Sequence, residues 1–163
     1  MEYDRAAAVR YARRWAFRRN PAYYNFDDIG GDCTNFVSQC VYAGAGVMNY
    51  TPDYGWYYIS SDNRAPAWTG VQFFYNFMTA NQGAGPYGYD APLSEALPGD
   101  VIQLAYNNSE SFTHTLLVVG VGINRNPRNI LLAAHTNDAY RRRLSSYNYT
   151  NMRLIHILGV NEQ

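Results

Sequence analysis

The hydrophobic period changes once along this chain, and that change restricts the fold more than any other feature. Up to Ala80 the apolar residues recur at helical spacing; beyond Gly99 they come as short runs bounded by turn residues. Ala8, Tyr11, Ala12 and Trp15 predict a helix over 4–18, with Asp4 as N-cap and Asn20-Pro21 as the stop. Phe36, Val37, Cys40 and Val41 predict a second helix from about Cys33 to Ala43, opened by the turn Gly30-Gly31-Asp32 and closed by Gly44 and Gly46. Val71, Phe74 and Met78 share one face of a third, over Val71–Ala80. Residues 44–69 read as an irregular excursion, and residues 81–99, with four Gly and three Pro, as a loop. Val101–Tyr106, Thr113–Val121, Ile130–Thr136 and Met152–Val160 read as strands. Helices first and strands after predict an α+β fold, N-terminal helices packed on an antiparallel β-sheet. The 163 residues show no repeat and no linker, so a single domain over 1–163 is expected.

Composition narrows the function. Aromatic residues make up 16% of the chain and charged residues another 16%, which excludes disorder as the main state. The formal net charge is zero, so the electrostatic footprint of a general nucleic-acid binder is missing. All 13 basic residues are Arg, which excludes a lysine Schiff base, a P-loop lysine and a lysine general base. Arg10, Arg13, Arg14, Arg18 and Arg19 are expected to form a solvated face. No apolar run approaches ~20 residues, so no membrane insertion by a helix is expected. The N-terminal segment lacks the apolar stretch of a signal peptide. The expected location is the cell envelope or exterior if a leader precedes these residues, and the cytoplasm otherwise.

The chemistry gathers around a cysteine. Cys33 and Cys40 on one helix would lie ~10 Å apart, beyond the ~7 Å Cα limit of a disulfide, so both should be free thiols. Cys40 reads as a core residue. Cys33 follows a Gly-Gly turn at a helix N-terminus, where unpaired N–H groups and the helix dipole favour a thiolate. Its base must come from His114, His135 or His156. His114 opens an apolar strand; His156 lies mid-strand and reads as a packed sheet residue. If 113–121 and 130–137 form a hairpin, with Val121 near Ile130, Asn137 falls opposite His114 and His135 diagonal to it. All three then share a face, with the diagonal pair ~7–8 Å apart, and Thr136 points away. Asp138 has the wrong parity unless a bulge intervenes. A zinc site from Cys33, Cys40, His114 and His135 would need sulfurs closer than this spacing allows; no metal and no cofactor are expected.

The motifs Tyr11-Ala12, Asn20-Pro21-x-Tyr23, Gly30-Gly-Asp-Cys-Thr-Asn-Phe-Val-Ser-Gln39, Gly99-Asp-Val-Ile-Gln103, the His114 strand and Ala134-His-Thr-x-Asp138 are spread over most of the chain. In them the chain resembles the putative amidase domain family of Gram-positive bacteria, within the papain-like superfamily that includes NlpC-type and CHAP peptidases. The resemblance implies a papain-like fold, Cys33 as nucleophile, His114 as base and a third polar residue on the next strand. His135 ranks first for that third place, and Asn137 and Asp32 are secondary catalytic candidates.

The resulting expectation is a cysteine-dependent amide hydrolase, an amidase or endopeptidase, acting on bacterial cell-wall peptides. The partner is then a peptide or peptidoglycan-derived substrate, and Asn35 and Gln39 serve structural hydrogen bonds. The excursion carries Tyr54, Trp56, Tyr57, Tyr58 and Trp68, of which Trp56 and Tyr57 are the candidate substrate-binding residues. Two alternatives stand beside the hydrolase: a non-catalytic wall- or peptide-binding module, and an acyltransferase using the same dyad.

Overall fold

A computed structural model describes residues 1–162. The helical half forms α1 (Arg5–Trp15), α2 (Cys33–Ala45), the short α3 (Pro66–Thr69) and α4 (Val71–Ala80). Asp4 caps α1 by accepting a hydrogen bond from the Ala7 amide at 3.0 Å, and α1 buries Ala8 and Ala12. α2 ends at Gly46, whose φ of 69° is left-handed. Two short strands in the excursion, β1 (Tyr58–Ser60) and β2 (Asn63–Arg64), pair with each other in a separate two-stranded sheet.

The other strands are β3 (Gly85–Ala91), β4 (Val101–Ala105), β5 (His114–Gly120), β6 (Leu131–Ala134), β7 (Ala139–Arg143) and β8 (Asn151–Asn161). They form one antiparallel sheet in the order β3-β8-β4-β5-β6-β7. The fold is therefore α+β, with a helical N-terminal part and an antiparallel sheet. Side chains alternate between two faces. Val101, Leu117, Ala133 and Ile155 pack with Phe36, Val37 and Cys40 of α2. Ile102, Leu104, Leu116, Leu132 and Leu154 form a second cluster with Ile130 and Leu144.

Four strands and the short α3 escaped the sequence reading: β1, β2 and α3 lie in the excursion 44–69 expected to be irregular, and β3 and β7 were missed for other reasons. β3 lies in the segment 81–99 expected to be a loop, because its Gly and Pro residues mask the period. Gly88 is needed there: a Cβ would sit 2.1 Å from the His156 carbonyl oxygen, beside a register shift between Tyr87 and Gly88. β7, Ala-Tyr-Arg-Arg-Arg, has no apolar run because it is an edge strand with alternating exposure.

The buried Asp100 carboxylate ties the two halves together. It accepts hydrogen bonds from Arg5 Nη1 at 2.7 Å, the Leu97 amide at 2.9 Å and the Ile157 amide at 3.0 Å, with His156 Nδ1 at 2.7 Å. His156 thus belongs to the structure of the sheet. Among the described residues no helix is long and apolar enough to cross a membrane.

Gly88→Ala is expected to destabilise the protein by ~1–3 kcal/mol, because the new methyl group meets backbone that cannot swing aside. A melting temperature equal to that of the wild type would contradict this account of β3.

Candidate active site

Cys33 is the first residue of α2, and the local sequence places it there. Gly30 and Gly31 have φ of 81° and 95°, so the chain reverses through a conformation that side-chain-bearing residues rarely adopt. Asp32 then enters the protein. It makes no side-chain cap on α2; its Oδ1 instead accepts from the Phe26 amide and Asn35 Nδ2, both at 2.9 Å. Its Oδ2 meets His135 Nδ1 at 2.6 Å.

His114 comes to the same place from the start of β5. It lines, with Cys33, Thr136 and Asn137, an open cleft of ≈ 470 Å³ whose far wall is Tyr106, Arg142 and Tyr147. No hydrogen bond joins the thiol to the imidazole among the described residues; the two groups share the cleft. Thr115, next in β5, points to the helix layer, where its hydroxyl is 2.9 Å from that of Thr34.

Burial sets the protonation of both groups. Cys33 is 8% exposed, and loss of hydration pushes its thiol pKa up. Hydrogen bonds from the Thr115 and Thr34 amides and from the Thr34 hydroxyl pull it down, while the Asp32 charge raises it further. Desolvation wins over the helix N-terminus, so the resting group is a thiol, contrary to the expected low thiolate pKa. His114 is shifted down to about 4, first by burial and then by the Arg142 guanidinium. At neutral pH its ring is uncharged and able to accept a proton.

His135 is not beside His114, which corrects the parity expectation. The expected register holds at Gly120↔Leu131, but a bulge shifts it by one residue at Val118↔Leu132 and Leu117↔Ala133. A one-residue shift moves every following side chain to the other face. His135 is therefore buried under the helices, 1% exposed and stacked 4.0 Å from Phe36. Its Nε2 donates to the Trp15 carbonyl at 2.8 Å, and its Nδ1 is taken by Asp32, so neither nitrogen is free to orient His114. Asp32 is likewise turned from the cleft. Of the candidates for the third place, Asn137 lines the cleft with His114; it lies in the β6–β7 turn at φ 55°. Asp138 binds Arg19 instead, 3.0 Å away, so Arg19 is an ion-pairing residue and not part of a merely solvated face.

The expected substrate aromatics lie elsewhere. Trp56 is fully buried, donating from Nε1 to Ser38 Oγ at 3.0 Å, and belongs to the core with Trp68. Tyr57 packs 5.7 Å from Tyr50 and does not line the Cys33 cleft. A separate cavity of ≈ 490 Å³ includes Tyr54 and Phe73 but neither Cys33 nor His114. Asn35 and Gln39 make structural hydrogen bonds, to Trp68 and Tyr11 respectively. The residues missed were Tyr106, Arg142 and Tyr147. The sequence signal for Arg142 was the Arg141-Arg142-Arg143 run just after the Asn137-Asp138 turn. Among the described residues no cluster of His, Cys, Asp and Glu is arranged to hold a metal ion.

A family model described as "Putative amidase domain" matches residues 2–158. The chain belongs to the putative amidase domain family. The domain is also 36% identical over 148 residues to an uncharacterized protein, YhbB, of Bacillus subtilis strain 168. That alignment covers 90% of this chain but 45% of the relative, so the domain spans about half the length of that curated relative. No solved structure matches. The family name suggests a hydrolase acting on amides.

Cys33 is expected to be alkylated by iodoacetamide in the folded protein while Cys40, fully buried, stays unmodified. Because burial raises the Cys33 pKa, its labelling rate should keep climbing through pH ~8.5, the value of a free thiol, without levelling off below it. Peptide mass spectrometry across that range checks both points; a plateau near pH 6 would mean a stable thiolate. His135→Ala should cost ~1–3 kcal/mol of stability by leaving a buried Asp32 oxygen and the Trp15 carbonyl without their hydrogen-bond partner, measurable by denaturant titration.

Proposed function

We propose that this domain is a cysteine-dependent amide hydrolase of the papain-like kind, with bacterial cell-wall peptides as its substrates. The observation that carries the reading is the pairing of a thiol at the N-terminus of α2 with an uncharged imidazole in one open cleft. The membership in a putative amidase family supports it.

In this mechanism the Cys33 sulfur attacks the amide carbon as its proton passes to the His114 ring. A sulfur–carbon bond forms, and the carbonyl oxygen takes the negative charge. Backbone N–H groups at the start of α2 face that oxygen, as the helix N-terminus favours an anion. The carbon–nitrogen bond then breaks, and imidazolium His114 returns the proton to the leaving amine. Water, deprotonated by the neutral His114, cleaves the thioester to a carboxylic acid and restores the thiol. Asn137 is the group available beside His114 to fix its ring, while His135 and Asp32 hold the loop that presents Cys33.

The resting pair is neutral, so proton transfer accompanies attack instead of preceding it. This design favours a base whose low pKa keeps it unprotonated in mild acid. A lowered pKa means that protonation disables His114 only as pH falls toward about 4. The acid limb of kcat/KM should therefore lie near 4, well below the ~6.5 of an ordinary histidine.

The test is turnover of defined stem-peptide and cross-bridge amides, followed by mass spectrometry of the products. Cys33→Ser and His114→Ala should each lower kcat by at least ~10²-fold, with the fold intact by circular dichroism. Asn137→Ala should lower turnover while His135→Ala lowers stability. Tight binding of wall fragments with no hydrolysis would make the domain a binding module. Products extended by an added amine would make it an acyltransferase.

A further inference from the structure

The Cys33–His114 cleft contains one permanently charged side chain, Arg142, and no acidic one. Two half-buried arginines of this chain are neutralised, Arg5 by Asp100 and Arg19 by Asp27 and Asp138, while Arg64, Arg125 and Arg153 bond to neutral oxygens and stand outside this cleft. Arg142 has no carboxylate partner among the described residues. It is nonetheless held in place. Nε donates to Ser146 Oγ at 2.8 Å and Nη2 to the Ser146 carbonyl at 3.1 Å, while the guanidinium lies 3.8 Å over the Tyr147 ring. Nη1 has no partner among the described residues. A planar fork with one edge fixed and one nitrogen without a partner is preorganised for a carboxylate.

A second group is unsatisfied at the same spot. The Tyr147 hydroxyl is buried and has no hydrogen-bond partner of good geometry, the one such side-chain atom among the described residues; Arg142 is close enough to lower its pKa but stacks on its ring. Such a group costs stability unless something completes it. It stays protonated, since burial pushes its pKa up more than Arg142 lowers it, so it offers a proton. The Tyr147 ring also lies 6.2 Å from that of His114, which brings both unsatisfied donors beside the reacting groups.

We propose that Arg142 and the Tyr147 hydroxyl form a carboxylate subsite, which makes this domain selective for amides carrying a free carboxylate beside the scissile bond. This rests on the amide hydrolase reading of the same cleft and names its substrate class. One guanidinium balances one carboxylate, and the phenol supplies a neutral third hydrogen bond. Peptides that bear a carboxamide in that position leave the half-buried Arg142 charge unbalanced and the buried Tyr147 hydroxyl without its acceptor.

The experiment uses two stem-peptide amides identical except for a free carboxylate or its carboxamide beside the scissile bond. Binding is measured by calorimetry on the whole Cys33→Ser protein, so that no turnover intervenes. The carboxylate form should bind about 10–100-fold more tightly. Adding Arg142→Gln should erase that preference by weakening the carboxylate form alone. Should Arg142→Gln melt early, Arg142→Lys keeps the charge without the fork and should retain part of the preference. Tyr147→Phe separates binding from structure. Its hydroxyl has no internal partner, so melting should not fall, while affinity for the carboxylate form should drop several-fold. Equal binding of the two peptides, binding of neither at millimolar concentration, or a preference that survives Arg142→Gln overturns the proposal. Turnover by the wild type separates the two readings. Equal hydrolysis of both peptides removes the subsite and leaves the hydrolase. Selective binding with no hydrolysis removes the hydrolase and leaves the subsite.

Discussion

The buried contact between Asp32 and His135 is the interaction on which the candidate site depends. Two side chains, each 1% exposed, join three parts of the molecule that are far apart in sequence. Asp32 precedes the helix that begins with Cys33, His135 follows β6, and His135 Nε2 holds the last turn of α1 through the Trp15 carbonyl. The same carboxylate binds the Phe26 amide and Asn35, so the Gly30-Gly31 reversal has both ends anchored. A buried carboxylate survives desolvation only with such partners. Here they also fix the start of α2, and with it the height at which the thiol meets the cleft. Arg19, 3.7 Å from Asp32, adds a positive charge from the solvent side.

Two opposing effects meet at the thiol. The helix dipole and the amides of Thr34 and Thr115 favour an anion, while burial against the sheet and the neighbouring Asp32 disfavour it. Burial wins. Across the cleft, burial and Arg142 strip the imidazole of its proton. The outcome is a neutral pair in a partly apolar site, where charge appears, in the proposed mechanism, only as the reaction proceeds. Donors fixed in advance then act most strongly on the charged intermediate, because little water competes with them.

Helices α1, α2 and α4 and the central strands were legible because their apolar residues face the core at a regular period, whereas α3, β1 and β2 are too short to show one. α4 was predicted to the residue, over Val71–Ala80. β3 and β7 were not, for different reasons. β3 uses Gly88 to pass close to the His156 carbonyl, and a glycine has no hydrophobic side chain to show a period. β7 lies on the edge, and three of its five residues are Arg. Cys33 and His114 could be picked out because each stands at the boundary of an element, where the pattern changes. Trp56 was misplaced by the opposite circumstance. Its indole N–H finds Ser38 inside the protein, so an aromatic with a polar handle needs neither solvent nor ligand.

The bulge in β5 explains why the two histidines could not be assigned by counting. His114 and His135 stand on neighbouring strands, and a regular hairpin would bring them to one face. One additional residue near Val119 reverses that relation, placing His114 with Leu116 and Val118 on one side and His135 with Ala133 on the other. In the proposed mechanism this is a division of labour. A histidine that holds a buried carboxylate must have both nitrogens occupied, whereas a general base must have one free. No single imidazole can meet both demands. By shifting the register between the interior of β5 and its open end, the chain puts one histidine in the packed layer and the other in the cleft. The order of Cys and His residues along the sequence is therefore compatible with two arrangements, and the pairing of β5 with β6 puts His114, not His135, in the cleft with Cys33.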